Sequence, residues 1–389
     1  MNKKLMAVAI AAALSPLAAL ADPSGVTLYG NINLAAERIT GLNQNAGGRE
    51  TRLTDSSSRI GIRGAEKLGA SGLEGFFQVE TLVSPEGNNG TGTPLGWASR
   101  NSGLGLRGGF GEVLAGRWDT YYLDHVPADI SLFGRSGLAS FGNTILGSVG
   151  RTGSVGTSLG MGPIVAGTTV PLAAGSSQLV GGRFANVVRY ATPNLSGFQA
   201  IATIAPSENG QDAGSGKKTG VNLRYANGPF FAGASYLRVG KDVGSSDYNK
   251  GVKLAAAFTA PSATKVGVTF EQLKAPVTGA ELKRDALLVT VSHNLGAVDL
   301  VLGYGKAKAI EGCVVAASCA NSGAKMLNLG GAYSFSKRTL AYLSYVKVDN
   351  EANAAYGFFN AGGSNNTIPS STGLGTDPKT VQLGVNHSF

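Results

Sequence analysis

The sequence predicts an all-β protein, specifically a 16-stranded antiparallel transmembrane β-barrel, from three observations. Residues 380–389 place Val381, Leu383 and Val385 on one strand face and polar side chains on the other, a period of two that demands an apolar medium on one side and water on the other. The 58 glycines, 14 prolines and 15% charged residues argue against a helix-rich protein, because glycine costs roughly 1 kcal/mol in a helix interior. The third observation is that the candidate strands are joined by connections that alternate between short and long.

The first element is a secretory signal peptide at residues 1–21, which leaves 22–389 as one barrel domain. A positive start and an apolar stretch lead to Ala19-Leu20-Ala21, whose small residues at alternate positions are typical of a cleavage site. A membrane anchor is the alternative, but Ser15-Pro16 interrupts an apolar core that is already short for a span of roughly 20 residues. We therefore expect export through the periplasm to the outer membrane of the cell.

The candidate strands are segments of alternating polarity bounded by Gly, Asn, Pro or Ser clusters. They number 16, and an even number is what a barrel with both termini on one side requires. The predicted strands are 25–36, 58–65, 73–82, 100–107, 111–117, 185–191, 197–204, 219–226, 230–238, 251–258, 264–272, 285–294, 297–306, 325–334, 339–347 and 379–389.

The connections favour a membrane barrel over a soluble sandwich. A barrel with periplasmic turns and extracellular loops has short and long connections in strict alternation. A soluble sandwich does not require that alternation. Sixteen strands enclose a cylinder too wide for side chains to fill, so the sequence predicts a water-filled pore. The tight connections are 108–110, 193–196, 227–229, 295–296 and 335–338, and the long ones are 37–57, 83–99, 118–184, 307–324 and 348–378.

Composition and motifs argue against two other function classes. The formal net charge of +9 comes from scattered basic residues, and without a basic cluster interleaved with aromatics we expect no nucleic-acid binding. We expect no enzyme, since no glycine-rich phosphate loop opens a helix and no Gly-x-Ser-x-Gly elbow lies between a strand and a helix. No cofactor is implied. The three histidines are not at metal-ligand spacing, so no metal site is expected.

Cys313 and Cys319 are the only two cysteines, and they lie six positions apart in a segment that resembles a loop. Beyond the inner membrane, thiols are commonly oxidised, which favours a local disulfide between them. A metal site is the weaker alternative, because no histidine is near the pair in sequence.

Six sequence strings together resemble the trimeric general porins of Gram-negative outer membranes, of the type found in neisserial and related β-proteobacterial species. The likeness spans nearly the whole chain after residue 21, and it is the order and spacing of the strings that make it specific. The strings are Val-Thr-Leu-Tyr-Gly at 26–30, Ser-Arg-Ile-Gly-Ile-Arg-Gly at 58–64, Gly-Arg-Trp-Asp-Thr at 116–120, Val-Arg-Tyr-Ala-Thr-Pro-Asn-Leu-Ser-Gly-Phe at 188–198, Tyr-Ser-Phe-Ser-Lys-Arg-Thr at 333–339 and Gly-Val-Asn-His-Ser-Phe at 384–389.

This resemblance implies a homotrimer of 16-stranded barrels, each with its own channel, in which the third long loop folds inward and narrows the lumen. It implies as partners the lipid bilayer and lipopolysaccharide of the outer membrane, and small hydrophilic solutes and ions as the permeating species. Phe389 resembles the terminal signal that the barrel-assembly machinery recognises in such proteins. A simpler role for Phe389, as one aromatic of the interfacial girdle, is compatible with that signal.

The first candidates for pore selectivity are Arg59 and Arg63, which share a strand face opposite Ile60 and Ile62. If the isoleucines meet lipid, both arginines point into water, because arginine on the lipid face near the midplane costs roughly 2 to 4 kcal/mol. The resemblance implies a basic wall at the constriction, and Arg59 fits that position best. A solvated arginine at the rim is the alternative.

Arg100 and Arg117 resemble the arginines that begin the fourth strand and end the fifth strand in the family. The alternation of side chains along the strand does not decide which face Arg117 occupies. If Val113 and Ala115 face lipid, Arg117 does too, unless Gly116 marks a bulge or the strand has already ended.

The third loop, 118–184, is the longest connection, and its charged residues are the remaining pore candidates. Acidic groups opposite basic ones across a narrow lumen would create a transverse field that discriminates against apolar solutes. The alternative is that the aspartates cap turns of the loop itself. The candidates are Asp119, Asp124, Asp129 and Arg135.

The sequence therefore predicts passive diffusion of small hydrophilic solutes through a water-filled pore, with a mild preference for anions. Two alternatives stay open at this point. One is a channel specific for a small anionic solute, with a site built by the long loop. The other is a structural or adhesive barrel whose loops bind partners.

Overall fold

In the computed structural model, no helix among the described residues is long and apolar enough to cross a membrane. The described residues are 25–41, 49–56, 58–69, 72–86, 96–120, 122, 145–146, 183–206, 217–239, 248–277, 280–313, 319–354, 356–357 and 375–389.

Most of the described chain is β-strand, because its alternating apolar and polar residues suit a wall with lipid on one side and water on the other. The strands are β1 (Thr27–Thr40), β2 (Arg49–Asp55), β3 (Arg59–Leu68), β4 (Leu73–Leu82), β5 (Ser102–Gly108), β6 (Gly111–Asp119), β7 (Arg183–Ala191), β8 (Phe198–Ala205), β9 (Lys218–Asn227), β10 (Phe230–Val239), β11 (Asn249–Thr259), β12 (Thr264–Val277), β13 (Ala280–Leu295), β14 (Val298–Ala307), β15 (Ala324–Ser334), β16 (Thr339–Asn350) and β17 (Lys379–Ser388).

These seventeen segments form sixteen barrel positions, because β2 and β3 occupy one position in succession. Along one edge, the first residues of β1 pair with β3 and the later ones with β2. Ser56 bridges the break by donating its backbone N–H to the Asn33 carbonyl at 2.8 Å. Along its other edge β1 pairs with β17, which closes the sheet. The prediction of a closed 16-stranded antiparallel barrel is confirmed.

The two faces of the wall differ in polarity as the alternation predicts. On β14, Leu300, Leu302 and Tyr304 are 44–46% exposed, whereas Val301 between them is 5% exposed. The outer face is therefore the apolar one. The inner face carries buried polar side chains such as Asn222, Ser235, Thr269 and Asn328. This polarity suits a barrel that meets lipid outside and water inside.

The predicted extent was wrong for one long connection and for one pair of strands. The segment 37–57, predicted to be a loop, contains the end of β1 and all of β2. The buried Glu37 carboxylate of β1 links β1 to both of its neighbours. It accepts a hydrogen bond from Gln382 of β17 at 2.7 Å and forms an ion pair with Arg52 of β2. Between the predicted strands 264–272 and 285–294, β12 and β13 instead continue as a tall hairpin.

Candidate functional site

One wall of the lumen carries a group of charged side chains centred on Glu80 of β4. The Tyr29 hydroxyl donates to Glu80 Oε2 at 3.1 Å, and Arg59 Nε lies 3.7 Å from the same oxygen. Arg100 Nε donates to Glu80 Oε1 at 2.5 Å. Glu80 therefore joins two of the arginines that the sequence singled out. Glu80 itself was missed, because its partners come from neighbouring strands that only the fold brings together.

Arg63 lies on the same face of β3 as Arg59, and its guanidinium sits 4.9 Å from the centre of the Tyr29 ring. Gly61, between the two arginines, accommodates that ring, since a side chain at Gly61 would overlap the Tyr29 phenol. The structure thus places Arg59 and Arg63 together on the lumenal face of the wall.

Arg117 lies at a distortion of the β6–β7 ladder. The register shifts between Gly116 and Trp118, so that β7 has one extra residue, and Asn186 of β7 adopts a φ of 56°. Gly116 has a φ of 153°, and a Cβ at that position would collide with the Ser102 carbonyl. At this bulge Arg117 donates from Nε to the Ser99 carbonyl at 3.0 Å. The extra residue belongs to β7, so β6 keeps its alternation. Leu114 and Trp118 are buried on the inner face, and Arg117 shares the opposite face with Val113.

Asp119 ends β6 and is held by groups from two neighbouring segments. Asn101 donates from Nδ2 to Asp119 Oδ2 at 2.9 Å, and Arg183 Nε lies 3.3 Å from Oδ1. Arg183 also donates to Asn101 Oδ1 at 2.8 Å. Arg183 was not among the predicted site residues because the sequence predicts a loop over 118–184, whereas β7 begins at Arg183.

We refer to the side chains around these two carboxylates as the arginine cluster: Arg59, Arg63, Arg100 and Arg183 with Glu80 and Asp119. Four arginines accompany two carboxylates, which leaves a formal surplus of two positive charges. The other predicted site residues, Asp124, Asp129 and Arg135, lie outside the described residues.

A second charged group lies on the wall formed by β11, β12 and β13, and we refer to it as the buried network. Glu271 is its centre, with Arg284 Nη2 at 2.8 Å from Oε1 and Lys253 Nζ at 3.4 Å from Oε2. The Tyr122 hydroxyl donates to Glu271 Oε2 at 3.2 Å, and Arg284 also donates to the Ile145 carbonyl. All five residues are buried.

The buried network ties the third long connection to the wall. Tyr122 and Ile145 both belong to that connection, yet they contact lumenal side chains of strands far from β6 in sequence. Lys253 Nζ lies 4.4 Å from the centre of the Tyr122 ring. Burial raises the pKa of the Tyr122 phenol well above its ordinary value, and the negative charge of Glu271 raises it further.

The remaining candidates lie at the two ends of the barrel. Cys313 and Cys319 form a disulfide with their Cα atoms 5.9 Å apart. Phe389 follows β17, and its backbone exchanges two hydrogen bonds of 3.1 Å with Gly30 where β1 and β17 meet. Among the residues that the structure describes, no group of three His, Cys, Asp or Glu side chains could hold a metal ion.

Comparison with known proteins identifies the family. Residues 7–353 match the Gram-negative porin family. The chain belongs to that family. Its relatives include the major outer membrane protein P.IB of Neisseria meningitidis serogroup B, 28% identical over 357 residues that cover 88% of this chain and 92% of the relative. The corresponding P.IB protein of Neisseria gonorrhoeae is 27% identical over 369 residues, with the same coverage of both chains.

Solved porin structures share the fold of this porin. The anion-selective porin from Comamonas acidovorans has a TM-score of 0.68 at 24% identity, covering 94% of this chain and all of that one. OmpT of Vibrio cholerae, in its trimer form, has a TM-score of 0.65 at 18% identity, covering 95% of this chain and 100% of that one. The chain is an outer-membrane porin channel of a Gram-negative cell.

Proposed function

We propose that this porin conducts small hydrophilic solutes and ions passively, without catalysis, and that it prefers anions mildly. The arginine cluster carries this proposal. Its surplus of two positive charges lies on a lumenal wall, where Arg59 keeps 35% of its side chain exposed to water. A basic wall raises the local concentration of anions and lowers that of cations, so the permeability ratio shifts towards anions.

The third connection, 118–184, narrows the lumen in this proposal. Its support is that Tyr122 and Ile145 are anchored on β12 and β13, across the barrel from the arginine cluster. A narrow lumen brings a permeating ion closer to the cluster, which strengthens the effect of each charge.

The biological unit that we propose is a homotrimer in the outer membrane, exported with residues 1–21 as a signal peptide. A trimer is the assembly named for the structurally similar OmpT of Vibrio cholerae, and anion selectivity is named for the Comamonas acidovorans porin. Phe389 at the barrel seam serves as the signal for the barrel-assembly machinery, and lipopolysaccharide surrounds the outer-leaflet half of the barrel.

Single-channel recording tests the proposal. Refolded protein comprising residues 22–389 is inserted in a planar bilayer under a salt gradient, where we expect large ohmic steps, closures in threes and an anion-favouring reversal potential. Arg59→Ala should reduce the anion preference while the barrel stays folded, because the variant removes one lumenal positive charge. A cation-favouring reversal potential would contradict the anion preference. Tiny or absent steps from a folded barrel would contradict the open pore.

A further inference from the structure

Two buried hydrogen-bond donors at the buried network have no acceptor: Arg284 Nε and the Tyr356 hydroxyl. Both atoms are shielded from solvent, and within the described part of the chain neither has a hydrogen-bond partner. Arg284 is 1% exposed and Tyr356 is 2% exposed. A buried donor loses its hydrogen bonds to water, so buried donors in folded proteins are almost always matched by an acceptor. These two donors therefore indicate a bound group.

The Tyr356 side chain and Arg284 meet at the same place on the wall. Tyr356 belongs to the long connection that follows β16, and it is held by Asn350, which accepts from Tyr356 N at 2.8 Å and donates to Tyr356 O at 2.9 Å. Arg284 donates to the carbonyl of Ile145, and the Ile145 side chain packs in the same apolar cluster as Tyr356. The two donors therefore belong to one site.

The electrostatics of this site favour a negative ligand. The Glu271 carboxylate accepts from Arg284 Nη2 at 2.8 Å and lies 3.4 Å from Lys253 Nζ. These three side chains carry a formal charge of +1. The Tyr122 hydroxyl occupies a further position on Glu271, at 3.2 Å from Oε2. A buried positive charge with donors that point at no acceptor is stabilised by an anion.

The Tyr356 phenol is suited to donate to an anion because it stays protonated. Burial raises its pKa; the positive charge of Arg284 lowers it, and the negative charge of Glu271 raises it. Glu351 also acts on this phenol, but Glu351 is exposed and accepts a hydrogen bond from Gly323 N at 2.9 Å. The site thus offers one neutral O–H donor and one N–H donor of a guanidinium group.

We infer that Arg284 Nε and the Tyr356 hydroxyl bind a small monovalent anion, chloride in the simplest case, between the barrel wall and the connection after β16. A guanidinium N–H can only donate, so the ligand must accept from it. A water molecule accepts as well, but only an anion also balances the positive charge. Because its protein ligands are almost completely buried, this ion is a structural component and not one of the permeating ions. The inference is independent of the proposed anion preference of the pore.

Bromide substitution tests the site in the unaltered protein. Protein comprising residues 22–389 is refolded and crystallised in sodium bromide, and diffraction is measured at the bromine absorption edge. We expect an anomalous difference peak within hydrogen-bond distance of both Arg284 Nε and the Tyr356 hydroxyl. Density at this place without an anomalous signal would be water and would overturn the inference, as would the lack of any density.

The dependence of stability on chloride gives a second test. An anion that binds only the folded state lowers the unfolding equilibrium constant about tenfold when its concentration is about ten times its Kd. Wild type refolded in chloride should therefore have an unfolding constant about tenfold smaller than wild type refolded in gluconate at the same ionic strength. Equal constants in the two salts over the whole concentration series would contradict a bound anion.

Tyr356→Phe removes one of the two donors and should reduce the chloride effect from about tenfold to twofold or less. The matched control is Tyr342→Phe, because Tyr342 is equally buried but its hydroxyl donates to Asn33 Oδ1 at 2.9 Å. The control should lose stability equally in both salts and keep the tenfold effect. The same chloride effect in both variants would assign the ion to another place. If Tyr356→Phe does not refold, the bromide experiment on wild type decides the question.

Discussion

The arginine cluster and the buried network line the same lumen and use the same kinds of side chain, but they differ in hydration and charge balance. In the cluster, Arg59 keeps 35% of its side chain in contact with solvent beside the buried pair of Glu80 and Arg100, and four arginines accompany two carboxylates. In the network, the Lys253 side chain is 0% exposed, and Lys253, Arg284 and the Tyr122 hydroxyl share the Glu271 carboxylate, which leaves a formal surplus of one positive charge. Arg284 also donates to the Ile145 carbonyl.

The difference shows how one barrel uses one region for ion selectivity and another to attach the third long connection to the wall. Water stabilises an excess of charge, so a hydrated wall can keep an unbalanced surplus that acts on passing ions. A charge that is buried from water depends on its local partners, and removing one member of a buried group is costly. The first region is therefore suited to attracting anions, and the second to holding Tyr122 and Ile145 against the wall.

The largest effect is expected for Glu271→Gln, which leaves Lys253 and Arg284 without the carboxylate that they share. The free energy of unfolding should fall by about 3–5 kcal/mol, as for other broken buried ion pairs. Chemical denaturation in detergent micelles measures it.

The matched control for this substitution is Glu281→Gln on the neighbouring strand β13, where Glu281 forms an exposed pair with Lys274. Its loss should cost at most about 1 kcal/mol. If both substitutions cost the same, burial does not distinguish the two kinds of pair, and the comparison between the regions fails.

A smaller effect is expected for Tyr122→Phe, which removes only the hydroxyl of the buried network. A hydrogen bond to a charged group contributes about 1.5–3 kcal/mol, so the free energy of unfolding should fall by that amount at neutral pH. The side chain keeps its ring over Lys253, so the packing is preserved.

The same substitution should also change the alkaline stability. The folded state keeps the pKa of the Tyr122 phenol above the ordinary value of 10.0. Its stabilising contribution is therefore complete below pH 10 and is lost as the pH rises through the folded pKa. Wild type should lose more stability than Tyr122→Phe between pH 9 and pH 11. Parallel losses in the two proteins would show that Tyr122 ionises as freely in the fold as in the unfolded chain.

Strand number and wall polarity could be predicted from the sequence because the period of two is a local property. Five consecutive residues of β14 are enough to assign its outward face to Leu300, Leu302 and Tyr304, without reference to any neighbouring strand. The placement of Arg59 and Arg63 inside the lumen followed from the same local rule, since Ile60 and Ile62 occupy the opposite face.

The partners of these residues could not be predicted because they depend on strand register and on distant segments. Tyr122 and Glu271 are 149 positions apart, and no local pattern relates them. Glu80 was visible as a strand residue, but its position between Arg59 and Arg100 requires the β3–β4–β5 pairing. Arg183 was missed because only Arg183 and Phe184 of β7 pair with β6 before the bulge, too few residues to show an alternation.

The smallest expected effect, and the one specific to the arginine cluster, is a change of selectivity by Glu80→Gln. The substitution keeps an acceptor for the Tyr29 hydroxyl but removes one negative charge, so anion preference should increase, opposite in sign to Arg59→Ala. One unit charge about 10 Å from an ion in water is worth about 0.4 kcal/mol, or about twofold in the permeability ratio at low salt. The effect should fade as salt shortens the screening length to about 10 Å at 0.1 M. Reversal potentials at two salt concentrations measure the change in anion preference and its dependence on salt. Glu281→Gln, on the outer face, is the control. If Glu80→Gln left the reversal potential unchanged but destabilised the barrel as much as Glu271→Gln, the cluster would be a second structural anchor, and the source of selectivity would lie on another wall.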